Sequence, residues 1–363
     1  MKTTVSKDAL NAVIRNVLNA VNAKTTIPVL NNILLEADDH GLILEATDME
    51  MYVRCRIDAV TESPGVTTLP AKKFAQIISA LPAGDVILET NEKQQTKINC
   101  AKARFRMLGM VADEFPREEE VVGEWNFSLP GGELKRSLAK VSYASSLDET
   151  RPTLNGTLLS VRNGMVTTVS TDGRRLALIE RQVDNDSEVD CDVILPPKVV
   201  VELIKVLSGD APVAINLSES RASFLFGDTL IISKLVDGSY PNYRQVIPAN
   251  FSQQAVFPRE AFKTVLSRVR MVISDDSASV SVALNKAEAT INALSSDIGE
   301  GEEPLDISYD GEPVSMSFNP DFLMDPLNNL EADQVVLQFN DEYSPMAISG
   351  DEGFLYIIMP MRS

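Results

Sequence analysis

Three aspartates recur in similar surroundings and have the chemistry of metal ligands. Asp48, Asp172 and Asp297 stand 124 and 125 residues apart, close to a third of the 363-residue chain. Carboxylates of this kind hold the metal ions of nucleases. Aspartate is also a common turn former, and Asp172-Gly173 between two extended runs is typical of a hairpin. Because the three lie at matching turns of separate segments, the turn interpretation is favoured.

Other signals for catalysis are weak. The single histidine, His40, lies in a polar turn, so neither a Ser-His-Asp arrangement nor a histidine metal cluster is expected. The glycine-rich stretch 131–137 lacks the GxxxxGKS/T spacing of a phosphate loop. Cys55, Cys100 and Cys191 form no paired motif. We therefore expect no enzyme activity, no cofactor and no metal site, and a reducing, cytoplasmic location.

Length and composition limit the fold. A chain of 363 residues is too long for one core, so two or three domains are expected. The 44% hydrophobic and 23% charged content is that of an ordinary globular protein. Neither a signal peptide nor a run that could span a bilayer is present, so we expect no membrane association. The net charge of −19 argues against nucleic acid unless the basic residues are segregated.

The elements around the three turns repeat in the same order. Each third opens with an amphipathic helix, followed by strand-like runs, a second helix and further strands. Apolar stripes mark the opening helices at Leu10, Ile14 and Val17, at Leu134, Leu138 and Val141, and at Phe262, Leu266 and Val269. The second helices begin near Pro70, Pro197 and Pro320, since Pro is favourable in a first helical turn.

Several short strands between helices indicate antiparallel sheet. The predicted fold class is therefore α+β, with three repeated domains that each pack two helices on antiparallel sheets. A period of this length indicates domain triplication rather than a solenoid. The expected domains are 1–122, 123–253 and 254–363.

Charge is unevenly distributed over these elements. Lys and Arg concentrate on five of the six predicted helices, whereas acidic runs such as 118–120, 184–192 and 297–303 fall in loops or linkers. A charge run is often only solvated surface. Five basic helices in equivalent positions instead favour loose contact with the phosphate backbone, without base readout.

Several motifs resemble one bacterial family. They are 171–176 (Thr-Asp-Gly-Arg-Arg-Leu), 234–238 with 240–243, 151–156 and the terminal 356–362. In this order, over a threefold repeat, they resemble the DNA polymerase III β subunit family, the sliding clamps. The resemblance covers essentially the whole chain. It implies a head-to-tail homodimeric ring around duplex DNA, with the helices lining the hole, that tethers replicative and other DNA polymerases and is opened by a clamp loader.

The resemblance also implies three sets of site residues. Candidate DNA contacts are Lys24, Lys72, Lys73, Arg136, Lys140, Arg151 and Lys198. At the dimer interface, Phe105 and Met107 on an edge strand are expected to meet Val272 and Ile273 of the partner. A hydrophobic cleft for partner peptides is expected at Leu154, Thr171, Gly173, Arg174, Arg175, Leu176, Pro241, Val246, Phe322, Ile358, Met359, Pro360, Met361 and Arg362.

Two other functions remain open from the residues alone. An acidic peptide-binding adaptor would bind partner peptides without being retained on DNA circles. A metal-dependent nuclease would cut DNA with added magnesium and lose activity on Asp172→Ala. Neither accounts for the basic helices and the threefold repeat together, so a DNA sliding clamp is the preferred prediction.

Overall fold

The structure, a computed structural model, describes residues 1–21, 25–119, 121, 123–182, 190–273 and 279–361. Two predicted site residues, Lys24 and Arg362, lie outside these ranges. None of the described helices combines the length and apolar character that a membrane crossing needs.

Helices form where the sequence carries an apolar stripe. In chain order they are α1 (Lys7–Val17), α2 (Ala71–Ala80), α3 (Gly131–Ser142), α4 (Pro152–Asn155), α5 (Pro197–Val206), α6 (Arg259–Val269) and α7 (Pro320–Asn329). Short 3-10 segments cover Leu18–Ala20, Pro28–Asn31, Ala112–Glu114, Tyr243–Val246 and Arg270–Val272. The six longer helices match the six predicted from periodicity, whereas α4 lies in the 151–156 motif.

Twenty-five strands fill most of the remaining described chain. They are β1 (Lys2–Ser6), β2 (Asn32–Asp38), β3 (Gly41–Thr47), β4 (Met51–Ile57), β5 (Val60–Ser63), β6 (Gly65–Pro70), β7 (Asp85–Thr90), β8 (Gln95–Cys100), β9 (Ala103–Leu108), β10 (Trp125–Pro130), β11 (Thr157–Arg162), β12 (Met165–Thr171), β13 (Arg175–Gln182), β14 (Cys191–Leu195), β15 (Pro212–Leu217), β16 (Arg221–Phe226), β17 (Thr229–Lys234), β18 (Gln253–Pro258), β19 (Val280–Asn285), β20 (Glu288–Ser295), β21 (Gly299–Asp306), β22 (Val314–Phe318), β23 (Gln334–Phe339), β24 (Met346–Ser349) and β25 (Phe354–Ile358). Every pairing between them in the described chain is antiparallel, as predicted.

The chain forms two compact units. The first comprises residues 1–134 and 198–235. It contains a five-stranded sheet in the order β5-β1-β7-β8-β9 and an eight-stranded sheet in the order β10-β15-β16-β17-β4-β3-β2-β6. The apolar faces of α1 and α2 are buried in this unit, including Leu10, Ile14, Phe74 and Ile78.

The second unit comprises residues 135–197 and 236–363. Its eight-stranded sheet has the order β14-β11-β12-β13-β25-β24-β23-β18, and its four-stranded sheet the order β21-β20-β19-β22. Phe262 of α6 is fully buried and its ring centroid lies 4.6 Å from that of Phe257. Full burial of one such side chain contributes about 1.5–3 kcal/mol.

Each eight-stranded sheet joins two successive repeats. In the first unit β4 pairs with β17, so that Val53 lies opposite Ile231. In the second unit β13 pairs with β25, so that Ala177 lies opposite Tyr356. The strand that follows the Asp48 turn and the strand that follows the Asp172 turn therefore each pair with a strand of the next repeat. As a result the Asp172 turn lies beside the C-terminal segment.

Candidate functional site

Hydrogen bonds among residues 171–175 hold the Asp172 turn. It connects β12 to β13, and Gly173 has a φ of +90°, a left-handed conformation that favours glycine. The Asp172 carboxylate accepts the backbone N–H groups of Arg174 at 2.8 Å and Arg175 at 3.1 Å. The Thr171 hydroxyl accepts the N–H of Gly173 and donates to the carbonyl of Arg175. This confirms the turn role predicted for Asp172.

Arg175 is the best-connected side chain of the predicted cleft. Its guanidinium bonds to the Asp172 carboxylate at 3.1 Å, the Asp325 carboxylate at 2.5 Å and the Tyr143 carbonyl at 2.7 Å. It also lies 4.2 Å from the ring centroid of Phe322, within the range of a cation–π contact. With its side chain only 10% exposed, Arg175 ties β13 to α7 and holds Phe322 in place.

The C-terminal segment is held by main-chain bonds on both sides. The N–H of Met359 donates to the carbonyl of Arg174 at 3.1 Å, and the N–H of Met361 donates to the carbonyl of Ser317 at 2.7 Å. The Met359 and Met361 side chains are 43% and 44% exposed. Two adaptable apolar side chains are thus presented to solvent on a fixed backbone.

Three further predicted residues lie on nearby elements. Leu154 is half-buried on α4, whose position is fixed by a bond from the Asn155 side chain to the Ser146 carbonyl at 2.7 Å. Pro241 and Val246 are exposed on the segment after β17. Between them, Tyr243 packs in the same buried cluster as Leu176, which connects this segment to β13.

Two members of the predicted set are core residues. Ile358 is fully buried and Leu176 is 2% exposed. They support the cleft from below rather than line its surface, and this corrects the expectation that a peptide contacts them directly. Thr171 is also almost buried. Apart from Arg175, the exposed or half-exposed candidates in the described chain are Leu154, Gly173, Arg174, Pro241, Val246, Phe322, Met359, Pro360 and Met361.

The first repeat keeps the turn but not the arginine anchor. Asp48 accepts the N–H groups of Glu50 and Met51, and the N–H of Lys234 donates to the carbonyl of Glu50 at 2.9 Å, as Met359 does to Arg174. Met51 stands at the position of Arg175. Glu202, at the position of Asp325, is 1% exposed and has one carboxylate oxygen without a hydrogen-bond partner. Among the described residues, an Arg–Asp pair of this kind is combined with an aromatic ring only where β13 of the second repeat meets α7 of the third.

Sequence reasoning missed the groups that anchor Arg175. Asp325, Tyr143 and Ser317 are not in the predicted set, although their bonds fix the hairpin and the C-terminal segment. A signal was present, because Asp325 and Glu202 occupy the same position in α7 and α5. The third turn aspartate, Asp297, differs from Asp48 and Asp172, whose carboxylates accept backbone N–H groups. The Asp297 backbone N–H instead donates to the Ser295 hydroxyl at 3.4 Å.

The predicted DNA contacts divide into three groups. Lys72, Lys73 and Arg136 are exposed on α2 and α3. Lys198 and Arg151 are each ion-paired with an aspartate, although both remain at least 40% exposed. Lys140, in contrast, is 4% exposed and ion-paired with Asp351. Its prediction as a DNA contact was therefore wrong, because its ammonium is used inside the second unit.

The predicted interface residues lie on and near open sheet edges. Phe105 is 43% exposed on β9, an edge strand, whereas Met107 on the same strand is only 8% exposed. Val272 and Ile273 are partly buried and pack against the core of the second unit. Sequence reasoning missed the charges of these edges. They are Arg104 and Arg106 on β9, and Glu300 and Glu302 on the edge strand β21.

Comparisons with known proteins agree over the whole chain. The N-terminal, central and C-terminal domain models of the DNA polymerase III beta subunit match residues 1–119, 128–242 and 244–362. The beta sliding clamp of Chlamydia muridarum is 33% identical over 362 residues, covering 100% of this chain and 99% of that protein. That of Escherichia coli is 31% identical over 366 residues, covering both chains completely.

Solved structures give the same result. The DNA polymerase III subunit beta of Pseudomonas aeruginosa, a DnaN sliding clamp solved with griselimycin bound, superposes with a TM-score of 0.96 at 30% identity and covers 100% of both chains. The three domain models match the three repeats in order, and the relatives and the solved structure match the whole chain. The chain belongs to the DNA polymerase III beta subunit family, the bacterial sliding clamps.

Proposed function

We propose that two copies of this chain form a closed ring around duplex DNA and tether replicative and other DNA polymerases to it. The observation that carries the proposal is the pair of open sheet edges with opposite charge. Edge strand β9 exposes Arg104 and Arg106, and edge strand β21 exposes Glu300 and Glu302. Alternate residues share a face of a strand, so each edge presents two like charges side by side.

Two different edges that fit one another give a head-to-tail contact, which forms a ring when the rotation closes. Two copies joined in this way have two identical interfaces. Phe105 and the exposed part of the Val272–Ile273 segment supply apolar area beside the charged strands. Burial of unpaired strand edges also removes a surface that is prone to aggregation.

The partner site is proposed to be a cleft for an extended apolar peptide from polymerases and the clamp loader. Met359, Met361, Phe322 and Val246 supply apolar surface, and the Arg174 and Gly173 backbone forms one rim. An extended peptide with one aromatic anchor suits such a surface. Methionines adapt to differently shaped partners, which fits a site used by several proteins.

DNA is proposed to be contacted without sequence readout. The exposed cations Lys72, Lys73 and Arg136, together with Arg151 and Lys198, are the revised set, and Lys24 remains a prediction outside the described residues. Contacts of this kind reach phosphate rather than base edges. We further propose domain limits of 1–122, 123–253 and 254–363, a cytoplasmic location, and a role that needs neither catalysis nor a cofactor.

A charge-swap experiment tests the ring. Arg104→Glu with Arg106→Glu is expected to give monomers in sedimentation velocity, because four like charges then face each other across the proposed interface. Glu300→Arg with Glu302→Arg is expected to do the same. Mixing the two variants should restore a closed heterodimer, because one interface then has both charges reversed and the other is wild type. The quadruple variant should also form the closed dimer. A dimer unaffected by either double substitution would contradict the assignment of these edges.

A further inference from the structure

Two cations of the proposed DNA-facing set are already paired with aspartates. Lys198, in the first turn of α5, forms an ion pair with Asp48 at the tip of the β3–β4 hairpin. The Nε of Arg151 lies 3.1 Å from the Asp148 carboxylate, and its guanidinium also donates to the Ser146 hydroxyl at 3.2 Å. The positive charge of both side chains is therefore partly compensated before any phosphate approaches.

Both aspartates are fixed by the backbone around them. Asp48 accepts the N–H groups of Glu50 at 3.0 Å and Met51 at 2.8 Å. Asp148 accepts the hydroxyl of Thr150 at 2.6 Å and its N–H at 3.0 Å. The Thr150 hydroxyl and N–H hold the pKa of Asp148 below its usual range, so this carboxylate is charged at neutral pH. The acceptors are thus preorganised by hydrogen bonds that do not involve the paired cation.

The third repeat contains a pair of the same kind with the charges exchanged. Asp321 occupies in α7 the position that Lys198 occupies in α5, and it lies 2.7 Å from the guanidinium of Arg270. Arg270 follows α6, one of the basic helices. In different repeats, therefore, an aspartate forms an ion pair with a basic side chain on or near a helix, although the residues of the pair differ.

We propose that Asp48 and Asp148 are built-in counter-charges that weaken the contact of Lys198 and Arg151 with DNA phosphate. This inference rests on the proposed function. A phosphate that binds either cation competes with a fixed carboxylate, and exposed ion pairs of this kind change a binding constant by up to about five-fold. Weak contact suits a ring that stays on DNA by topology and moves along it, because each phosphate contact adds to the salt-dependent affinity.

The test is the mobility of the loaded protein. Fluorescent wild type, Asp48→Asn and Asp148→Asn are loaded with a clamp loader and ATP onto linear duplex whose ends are blocked, and the diffusion coefficient is measured at low and high salt. Asparagine keeps the oxygen that accepts the backbone N–H groups but removes the charge. Each variant is expected to diffuse about two- to five-fold more slowly at low salt. The difference should disappear at high salt, because salt screens the released cation.

Two controls isolate the ion pairs. Glu62→Gln changes the net charge equally but releases Lys2 on strand β1, so its mobility should equal that of wild type. In an Arg151→Ala background Asp148→Asn should have no effect, and in a Lys198→Ala background neither should Asp48→Asn. Equal slowing by Glu62→Gln, slowing that persists without the cation, or unchanged mobility of both asparagine variants would overturn the inference. Wild type that is not retained between the blocks would instead overturn the proposed ring itself.

Discussion

The hydroxyl of Tyr356 donates a hydrogen bond to the backbone carbonyl of Phe322 at 2.8 Å. Phe322 would normally pair with the N–H four residues later in α7, but that residue is Pro326, which has none. The fully buried Tyr356 therefore satisfies the acceptor that proline leaves free. Because Phe322 also stacks on Arg175, this bond connects the integrity of α7 to the shape of the cleft.

Replacement of Tyr356 by Phe is expected to lower the free energy of unfolding by about 1–3 kcal/mol, since it leaves a buried carbonyl without a partner. Urea unfolding followed by circular dichroism measures the change. Tyr343→Phe, at a 69% exposed position, is the matched control and should have little effect. In a Pro326→Ala background the new N–H can pair with Phe322, so Tyr356→Phe should cost less there. An equal cost in both backgrounds would contradict the pairing.

Replacement of Arg175 by Met recreates the residue of the first repeat, Met51. Asp325 then loses its cation and Phe322 loses its stacking partner, so we expect a loss of about 2–4 kcal/mol in stability. Affinity for an apolar partner peptide should fall with it. Arg136→Met, on the exposed face of α3, controls for loss of a positive charge. Unchanged peptide affinity in Arg175→Met would show that Arg175 does not position the cleft.

Removal of residues 359–363 is expected to abolish peptide binding measured by fluorescence anisotropy, because it removes Met359 and Met361. The truncation also removes their main-chain bonds to Arg174 and Ser317. The double substitution Met359→Ala with Met361→Ala keeps those bonds and should weaken binding without changing the fold. Full affinity after truncation would remove the C-terminal segment from the site.

Replacement of Ile273 by Asp is expected to give monomers in light scattering, since it places a charge beside the proposed apolar contact. Ile273 also packs partly against the core, so the circular dichroism spectrum must be compared with that of wild type. Phe105→Asp tests the opposite side of the interface at a residue that is 43% exposed. Folded dimers in both variants would contradict the assignment.

The Lys140–Asp351 pair predicts a dependence of stability on pH. Burial raises the pKa of Asp351, but the Lys140 ammonium and the N–H groups of Glu331 and Ala332 outweigh it, and the net pKa is below the usual 3.8. A carboxyl whose pKa is lower in the folded state stabilises the protein above its unfolded pKa and loses this contribution as the pH falls through the folded value.

Wild type should therefore lose stability more steeply than Asp351→Asn as the pH falls through and below the usual carboxyl range, and it should be the more stable of the two at pH 7. Thermal unfolding at a series of pH values measures both differences. Parallel curves for the two proteins would show that the pair does not contribute. Asp341→Asn, at an exposed turn, gives the slope expected from a carboxyl with local hydrogen bonds only.

Local patterns predicted the elements but not their long-range partners. The six helices follow from apolar periodicity, and the Asp172 turn follows from Asp-Gly between extended runs. The pairing of β4 with β17 and of β13 with β25 was not predicted. Strands of different repeats are all rich in apolar residues, so the pattern of one strand does not identify its neighbour.

Side-chain roles were harder to predict than elements. Arg136 and Lys140 stand four residues apart, so the sequence predicts that they share a face of α3. Lys140 is nevertheless buried in an ion pair, whereas Arg136 is exposed. What separates them is Asp351, 211 residues away along the chain. Likewise the cleft residues Arg175 and Phe322 were predicted, whereas Asp325 and Tyr356, which hold them, were not.

The most direct test of the clamp account is retention on circular DNA. The protein is loaded with a clamp loader and ATP onto nicked plasmid, half of the sample is cut to linear form with a restriction enzyme, and both halves are passed over a gel-filtration column. The protein is expected to stay on circles and to be lost from linear DNA, because only a closed ring is held by topology. Equal retention on both forms would indicate ordinary binding and would contradict the clamp account.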